Sequence, residues 1–392
     1  MISSSMKGEV RGVTKDSEAS GAMKYYQREL FRVADGVNAF LTKAFSNVNI
    51  DGPPLDHDQM GKKPTMVVCT HRSQVDYFIL GWLAHETGVR NMRFAAGDNL
   101  TELPYIGSRF RGFGAFPVSR DRARSRTYIR ELCSQVVEMI EDGDSIIVFP
   151  EAGRSYKGNM LEVRNGMLAA HILAQAHSRE KQHVFWPVAI SYERLPELLY
   201  FDMLQKGKDI RRSRDNFLQR VRGNVYYFGA DLLAFSKFLL KKRVGLRYGE
   251  VFVDYAEPMA VGDVVDLDAN YNPSARDEFS AHRRSMLEAG QVIRRKFLEL
   301  YRILPVHVLS AVLNERPRQS VKEVMRGVRP IIDQLAKKNR NLKSIKELSD
   351  REIVENGIRQ CGYMGAIWYR NRTLSVRKSS VIQYYAAAID SE

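Results

Sequence analysis

Between Met66 and Tyr192 the chain alternates short apolar runs with amphipathic segments. Short continuous apolar runs are typical of buried parallel strands, whereas helical periodicity of apolar side chains predicts amphipathic helices. The helix from about Thr127 to Glu141 ends before Gly143, a residue that favours a helix stop. Strands are predicted at Met66–Cys69, Met92–Ala96, Phe116–Val118, Ser145–Phe149 and His183–Ile190. The alternation predicts an α/β fold: a mostly parallel central sheet flanked by helices, with a helical C-terminal extension.

The ends of the chain differ in composition from this central part. Residues 1–22 are rich in Ser, Gly and charged side chains and are predicted to be disordered. One further strand is predicted at Val251–Tyr255, followed by a polar, turn-rich stretch at Val261–Asp277. We therefore expect a main domain over 23–260 and a helical C-terminal region over 261–392.

The charge balance narrows the class of partner. Lys and Arg number 60 against 46 Asp and Glu, a net charge of +14, which favours nucleic acid, an anionic membrane or phosphorylated small molecules as partners.

Three scattered cysteines argue against a disulfide framework and suit a reducing compartment. No metal-ligand spacing, no apolar leader and no run of about 20 apolar residues are visible. We expect a cytoplasmic protein without a metal or cofactor.

The segment THRSQVD, residues 70–76, directly follows the first predicted strand. A carboxylate five residues after a histidine, across a strand-to-helix turn, can fold back to one imidazole nitrogen. The other nitrogen then faces a substrate as a general base, which suits a reaction in which the substrate's own hydroxyl attacks. His71 and Asp76 are therefore the candidate catalytic pair. The alternative for this spacing alone is a structural histidine in a polar turn, with Asp76 capping the helix.

Three other segments lie at predicted strands. GFGAFPVSR ends at Arg120, whose guanidinium suits phosphate, although a surface arginine in a basic run is the alternative. FPEAGRS sets Glu151, Gly153 and Arg154 on one turn, where they could bind hydroxyls and a phosphate or form a surface ion pair. WPVAISY, residues 186–192, is an apolar strand that suits either the core or the floor of an acyl pocket.

In this order, the four segments resemble the sequence blocks of the glycerolipid acyltransferase family. HRSQVDYFIL resembles the H-x4-D block, GAFPVSR the G-x-F-x-x-x-R block, FPEAGRS the F-x-E-G-x-R block and WPVAISYE the V-P-V block. The first and last look more like the glycerol-3-phosphate and dihydroxyacetone-phosphate acyltransferase branch than the lysophosphatidate branch. Ala152 replaces a family glycine, Pro150 is more typical of the lysophosphatidate branch, and Trp186 stands where a small aliphatic residue is usual.

The resemblance implies the roles of the site residues. His71 would deprotonate the acceptor hydroxyl, which attacks the thioester of acyl-CoA or acyl-carrier protein, and Asp76 would hold the imidazole. Arg120 and Arg154 would bind the acceptor phosphate, with Glu151 and Gly153 at its glycerol end. The expected reaction acylates the sn-1 hydroxyl of glycerol-3-phosphate and gives lysophosphatidate for phospholipid biosynthesis. Dihydroxyacetone phosphate and lysophosphatidate are the alternative acceptors.

An amphiphilic product implies work at a membrane, which we expect to be peripheral binding to an anionic cytoplasmic face. Ala230–Gly245 carries an apolar face flanked by lysines, which favours interfacial binding; a helix that covers the domain is the alternative. A distant alternative is a non-catalytic basic protein that binds membrane or nucleic acid. We expect no nucleic-acid partner, because no nucleic-acid-binding fold motif is present in the sequence.

Overall fold

The computed structural model describes residues 36–56, 60, 62–97, 111–119, 122, 125–151, 153–201 and 248–389. The predicted disordered N-terminus, residues 1–22, lies outside the described residues, as does the predicted interfacial helix Ala230–Gly245. The first described element is a helix, α1, over 36–44. Among the described helices, none is long and apolar enough to cross a bilayer.

An eight-stranded sheet forms the centre of the fold. Its strands are β1 Asn47–Asp51, β2 Thr65–Cys69, β3 Met92–Gly97, β4 Ala115–Val118, β5 Ser145–Val148, β6 Val184–Tyr192, β7 Glu250–Tyr255 and β8 Met259–Ala260. The order is β1-β7-β6-β2-β5-β3-β4, with β8 pairing with β6. The five strands from β6 to β4 are parallel, whereas β7 and β1 run the other way. The predicted α/β class with a mostly parallel sheet is confirmed.

Helices α2 Asp76–Glu86, α3 Arg126–Glu141 and α4 Gly166–His177 connect the parallel strands. Helix α3 shows why these segments are helical. Ser125 Oγ accepts a hydrogen bond from the N–H of Tyr128 and caps the helix, and the apolar stripe that includes Leu132 and Val136 is buried. The chain leaves the helix at Gly143, whose φ of +84° favours glycine.

The middle strands β2, β5 and β6 are buried along their whole length. A strand covered on both faces has no solvent side for polar residues, which explains the continuous apolar runs in the sequence. Strand β2 lies between β5 and β6, and all three run parallel. Their carboxyl ends therefore meet at one edge of the sheet, where chemistry is found in folds of this class.

The C-terminal region is mostly helical, as predicted, and holds a second, antiparallel sheet that was not predicted. Its order is β10-β11-β9. The division of the chain at residue 260 stays a prediction. The elements of this region are α5 Val261–Val264, α6 Glu278–Ala281, α7 Arg283–Leu300, α8 Pro305–Glu315, β9 Arg318–Ser320, α9 Val321–Lys337, α10 Asp350–Tyr363, β10 Ile367–Arg370, β11 Thr373–Val376 and α11 Ser379–Ala387.

The C-terminal region is fastened to the edge of the main sheet. Helix α7 packs against α4 and β6. Just after it, Arg302 is buried and its Nε donates to Asp254 Oδ2 of β7 at 3.0 Å, while its Nη2 donates to Asp51 of β1. The backbone N–H of Arg302 also donates to Ser191 Oγ of β6 at 3.0 Å. One residue thus ties the end of α7 to three strands of the sheet.

Candidate active site

His71 and Asp76 meet at the carboxyl end of β2. The strand ends at Cys69, and Asp76 is the first residue of α2. In the loop between them, His71 Nδ1 lies 2.9 Å from Asp76 Oδ2. The same oxygen accepts the backbone N–H groups of Arg72 at 2.7 Å and Ser73 at 2.9 Å. The carboxylate therefore folds back over its own loop, in the geometry that the spacing of the two residues predicts.

Tyr192 completes the hydrogen bonding of Asp76. Its hydroxyl, at the end of β6, donates to Asp76 Oδ1 at 2.5 Å. Burial raises the pKa of the Tyr192 phenol well above its usual value, and the adjacent Asp76 charge adds to this rise. The phenol therefore stays a donor at neutral pH. Both oxygens of the buried Asp76 carboxylate are held in place, and with them the ring of His71.

The ring of His71 packs against two aromatic side chains. It stacks on Phe149 at a centroid distance of 4.1 Å and meets Tyr77 edge to face at 5.6 Å. Burial lowers the pKa of His71 from its ordinary value, and the hydrogen bond to Asp76 opposes that shift only in part. At neutral pH the imidazole is therefore uncharged, with its proton on Nδ1 toward Asp76 and Nε2 as the acceptor. That tautomer is the one a general base requires.

Glu151 joins the loop after β5 to the loop after β2. Its Oε2 accepts the backbone N–H of His71 at 2.7 Å, and its Oε1 accepts that of Leu161 at 2.8 Å. The side chain is buried. In this structure both carboxylate oxygens bind the protein's own backbone, so Glu151 sets the position of His71. Its predicted contact with the glycerol end of the acceptor stays a prediction.

The remaining predicted binding residues are Gly153, Arg154 and Arg120. Gly153 has a φ of +148°, a conformation that side chains with a Cβ rarely adopt, so the turn after Glu151 requires this glycine. Arg154 is buried, and its charge acts on His71 by lowering the pKa of that ring. The structure therefore brings Glu151, Gly153 and Arg154 to the His71 loop. Arg120 lies outside the described residues.

Three residues that sequence reasoning missed also belong to this cluster: Tyr192, Glu197 and Arg72. Glu197, in the segment that follows β6, accepts from Ser73 Oγ at 2.7 Å and from the Gln74 N–H at 2.8 Å, and lies 3.7 Å from Arg154 Nη1. Its position after a strand gave no motif to recognise. Arg72 stood inside the THRSQVD segment itself, so its place beside the catalytic pair was the available signal.

Arg72 is almost wholly buried, at 1% exposure. Its Nη1 donates to the carbonyl oxygen of Asn159 at 3.0 Å, and its Nη2 lies 3.8 Å from Glu151 Oε1. The guanidinium carbon lies 5.0 Å from the centre of the Tyr301 ring, in a cation–π contact. Arg72 therefore links the His71 loop to the loop after β5 and to the end of α7.

The fourth predicted block, in strand β6, lies in the core. Trp186 is fully buried, its Nε1 donates to the Ala256 carbonyl oxygen at 3.1 Å, and its ring meets Tyr255 edge to face. Of the two alternatives for this strand, the structure favours core packing at Trp186. Within the part of the chain that the structure describes, no group of three or more His, Cys, Asp or Glu is arranged to hold a metal ion.

The comparisons with known proteins match the part of the chain in which the four blocks lie. The family model Acyltransferase matches residues 47–191, which run from the start of β1 almost to the end of β6. A glycerol-3-phosphate acyltransferase of Xanthomonas campestris is 28% identical over 261 residues, covering 65% of this chain and 27% of the relative. One of Xanthomonas axonopodis is 32% identical over 199 residues, covering 50% and 20%.

A glycerol-3-phosphate acyltransferase of Pseudomonas aeruginosa is 28% identical over 293 residues and covers 72% of this chain. The chain spans about a third of the length of that relative, and less of the two Xanthomonas relatives. The matched segment contains His71, Asp76 and the loop after β5. Residues 47–191 therefore match an acyltransferase domain, and through it the chain is similar to part of the glycerol-3-phosphate acyltransferases.

Proposed function

We propose that the chain transfers a fatty acyl group from acyl-CoA, or from acyl-carrier protein, to the sn-1 hydroxyl of glycerol-3-phosphate. The product would be lysophosphatidate, a precursor in phospholipid biosynthesis. The observation that carries the proposal is the buried, neutral His71, whose Nδ1 is held by Asp76 and whose Nε2 is the remaining proton acceptor. The names of the relatives, all glycerol-3-phosphate acyltransferases, support the choice of acceptor.

In this mechanism Nε2 of His71 takes the proton of the acceptor hydroxyl as its oxygen attacks the thioester carbonyl carbon. The tetrahedral intermediate then collapses, the C–S bond breaks, and the proton on Nε2 passes to the departing thiolate. The ester and the free thiol leave, and His71 returns to its neutral form. Asp76 stabilises the imidazolium between the two steps and, with Tyr192, keeps the ring in the productive tautomer.

Arg154 and Arg120 are proposed to bind the acceptor phosphate. Arg154 supports this role because its positive charge is near enough to His71 to influence the pKa of the imidazole. A guanidinium binds phosphate through parallel N–H groups, which would fix the acceptor hydroxyl relative to Nε2. The Glu197 carboxylate, 3.7 Å from Arg154 Nη1, would hold the guanidinium until a phosphate arrives.

The test is release of free thiol from acyl-CoA, measured with one acceptor at a time. Glycerol-3-phosphate should stimulate release and yield an acylated product that mass spectrometry identifies as lysophosphatidate. Dihydroxyacetone phosphate and lysophosphatidate serve as the competing acceptors. Turnover with lysophosphatidate alone would overturn the proposed acceptor and leave the acyl-transfer chemistry in place. Absence of turnover with all three acceptors and both donors would overturn the function itself.

A further inference from the structure

The small sheet β10-β11-β9 turns one face to solvent. Its register sets Trp368 opposite Ser375, and Ser375 opposite Arg318. Alternate residues of a strand share a face, so Arg370 lies on the same side as Trp368, and Arg377 follows Ser375 on that side. The contact between Arg377 and the Trp368 ring, 4.7 Å from guanidinium carbon to ring centre, agrees with this. Trp368, Arg370, Arg318 and Arg377 are called the hairpin face.

The other side of the same sheet belongs to the core. Ile367, Leu374 and Gln319, which occupy the alternate positions of the three strands, are all buried. The residues of the hairpin face are exposed, and Trp368 keeps 60% of its surface in solvent although Arg377 lies over its ring. Core packing therefore does not account for this tryptophan. Tyr369, exposed at 56%, shares the side of Ile367 and is not part of the hairpin face.

The charged side chains of the hairpin segment itself are all cationic. Residues 356–389 contain no Asp or Glu, and they contain five cationic residues, which are Arg359, Arg370, Arg372, Arg377 and Lys378. Strand β9 adds Arg318. Glu323, which follows β9, accepts hydrogen bonds from the Oγ and N–H of Ser320 in the cap of α9. The segment is therefore a concentrated part of the chain's net charge of +14.

The hairpin is also held in one shape. Asn371 and Arg372 form a two-residue turn with φ values of +50° and +57°, the geometry of tight hairpin turns. At its base, the N–H groups of Arg377 and Lys378 both donate to the carbonyl oxygen of Ala366. The aromatic and cationic side chains are thus presented on a preformed surface.

We propose that the hairpin face docks the protein on the surface of an anionic phospholipid membrane. Tryptophan favours the headgroup level of a bilayer, and arginine is drawn to its negative surface potential. A nucleic acid is the less suitable partner, because Arg377 already covers one face of the ring on which a base would stack. The inference deepens the proposed function, since an amphiphilic product has to pass into a lipid layer.

Vesicle flotation tests the surface directly. The wild type should bind vesicles of mixed phosphatidylglycerol and phosphatidylcholine, bind pure phosphatidylcholine vesicles far less, and dissociate as salt rises. The triple variant R318Q/R370Q/R377Q should lose about a hundredfold in partition coefficient, since each cation contributes roughly fivefold near an anionic surface. The variant W368A should lose affinity on both kinds of vesicle.

A matched control removes the same amount of charge elsewhere. The variant R179Q/R284Q/R351Q also loses three exposed arginines, at sites with side-chain exposures of 66%, 73% and 76%. It should bind anionic vesicles nearly as well as the wild type. An equal loss in both triple variants would show a general charge effect and overturn the assignment of this surface.

Fluorescence supplies a readout that is specific to position 368. Vesicles with brominated acyl chains should quench part of the wild-type tryptophan emission, and W368F should lose that quenched part. Quenching that is unchanged in W368F would place another segment at the membrane. Loss of affinity for single-stranded nucleic acid, with vesicle binding unaltered in the triple variant, would assign the face to nucleic acid instead.

The inference and the proposed function fail separately. With glycerol-3-phosphate and a short-chain, water-soluble acyl-CoA, the hairpin variants should keep wild-type turnover without vesicles. Vesicle binding by a wild type that shows no acyl transfer would support the docking surface and overturn the proposed function. Acyl transfer by a wild type that does not bind anionic vesicles would support the proposed function and overturn the docking surface.

Discussion

Arg72 and Tyr301 join the catalytic loop to the C-terminal region. The guanidinium carbon of Arg72, the residue directly after His71, lies 5.0 Å from the ring centre of Tyr301, which caps α7. Both side chains are buried, and Arg72 also donates to the Asn159 carbonyl oxygen at 3.0 Å. The helical region is therefore part of the surroundings that fix the position of His71.

The variants R72K and Y301F separate the two parts of this contact. R72K loses the planar guanidinium and its donor to Asn159, so it should lower the free energy of unfolding by about 2 kcal/mol and reduce kcat. Y301F keeps the ring beneath the guanidinium and should stay close to the wild type in both respects. Urea unfolding and single-acceptor kinetics measure the two effects. Equal losses in both variants would show that the Tyr301 hydroxyl, and not its ring face, makes the contact.

Tyr192 should act on the reaction through Asp76. In Y192F one oxygen of the buried carboxylate loses its donor, at a cost of about 1–3 kcal/mol in stability. We expect kcat to fall about tenfold and KM to change little, because the His71 ring is held less firmly while the acceptor contacts remain. Y385F is the matched control, since Tyr385 is also a buried, hydrogen-bonded phenol, but its hydroxyl bonds with the backbone of Glu193 and Leu195 instead of Asp76. A rise in KM at constant kcat would assign Tyr192 to substrate binding.

A pair of glycines tests how closely the loop after β5 packs on helix α11. Gly158 and Gly143 have similar φ values, +88° and +84°. A Cβ at Gly158 would lie 1.8 Å from the backbone oxygen of Tyr384, whereas a Cβ at Gly143 would meet nothing within 4 Å. G143A should cost about 1–2 kcal/mol for its backbone conformation alone, and G158A clearly more. Urea unfolding of the two variants gives the difference; equal costs would mean that α11 does not rest on this loop.

The pH dependence of the reaction follows from the lowered pKa of His71. Because burial favours the neutral ring, activity should be lost only as pH falls through a value below the ordinary 6.5. The profile of kcat/KM should therefore be flat at neutral pH. Asp76 raises the pKa of His71 against the effect of burial, so D76N should move the inflection to lower pH and lower the plateau as well. An inflection above about pH 7 would contradict the buried, neutral base.

Local pattern was enough to predict the middle of the sheet. Strands β2 to β6 and helix α3 lie within a few residues of their predicted bounds, because buried strands and an amphipathic helix carry strong periodic signals. Strand β1 was missed, since NVNID is a short, half-exposed edge strand whose register depends on β7. The small sheet was missed for a similar reason: its strands have three or four residues, and its turn is Asn-Arg where a glycine is usual.

In the active site, too, the sequence predicted the local contact and missed the contacts between distant segments. The His71–Asp76 contact is local, and the spacing predicted it. Tyr192 ends β6 and Glu197 follows it. They bond with Asp76 and Ser73, which are 116 and 124 residues away in the sequence, so no local pattern could indicate these contacts. Glu151 was recognised, but its hydrogen bonds to the backbone N–H groups of His71 and Leu161 depend on how two loops meet. The sequence therefore identified candidate site residues more readily than the contacts by which some of them hold others in position.

The most direct test of the proposed function is acyl transfer to glycerol-3-phosphate by the wild type, by H71A and by H85A. His85 lies near the end of α2, the helix that follows the His71 loop, and bonds with Glu86, so H85A removes a nearby histidine without touching the site. We predict that H71A, folded as judged by circular dichroism and urea unfolding, loses about 10²–10⁴-fold in kcat, and that H85A stays close to the wild type. Near-normal turnover by a correctly folded H71A would contradict the assignment of His71 as the base.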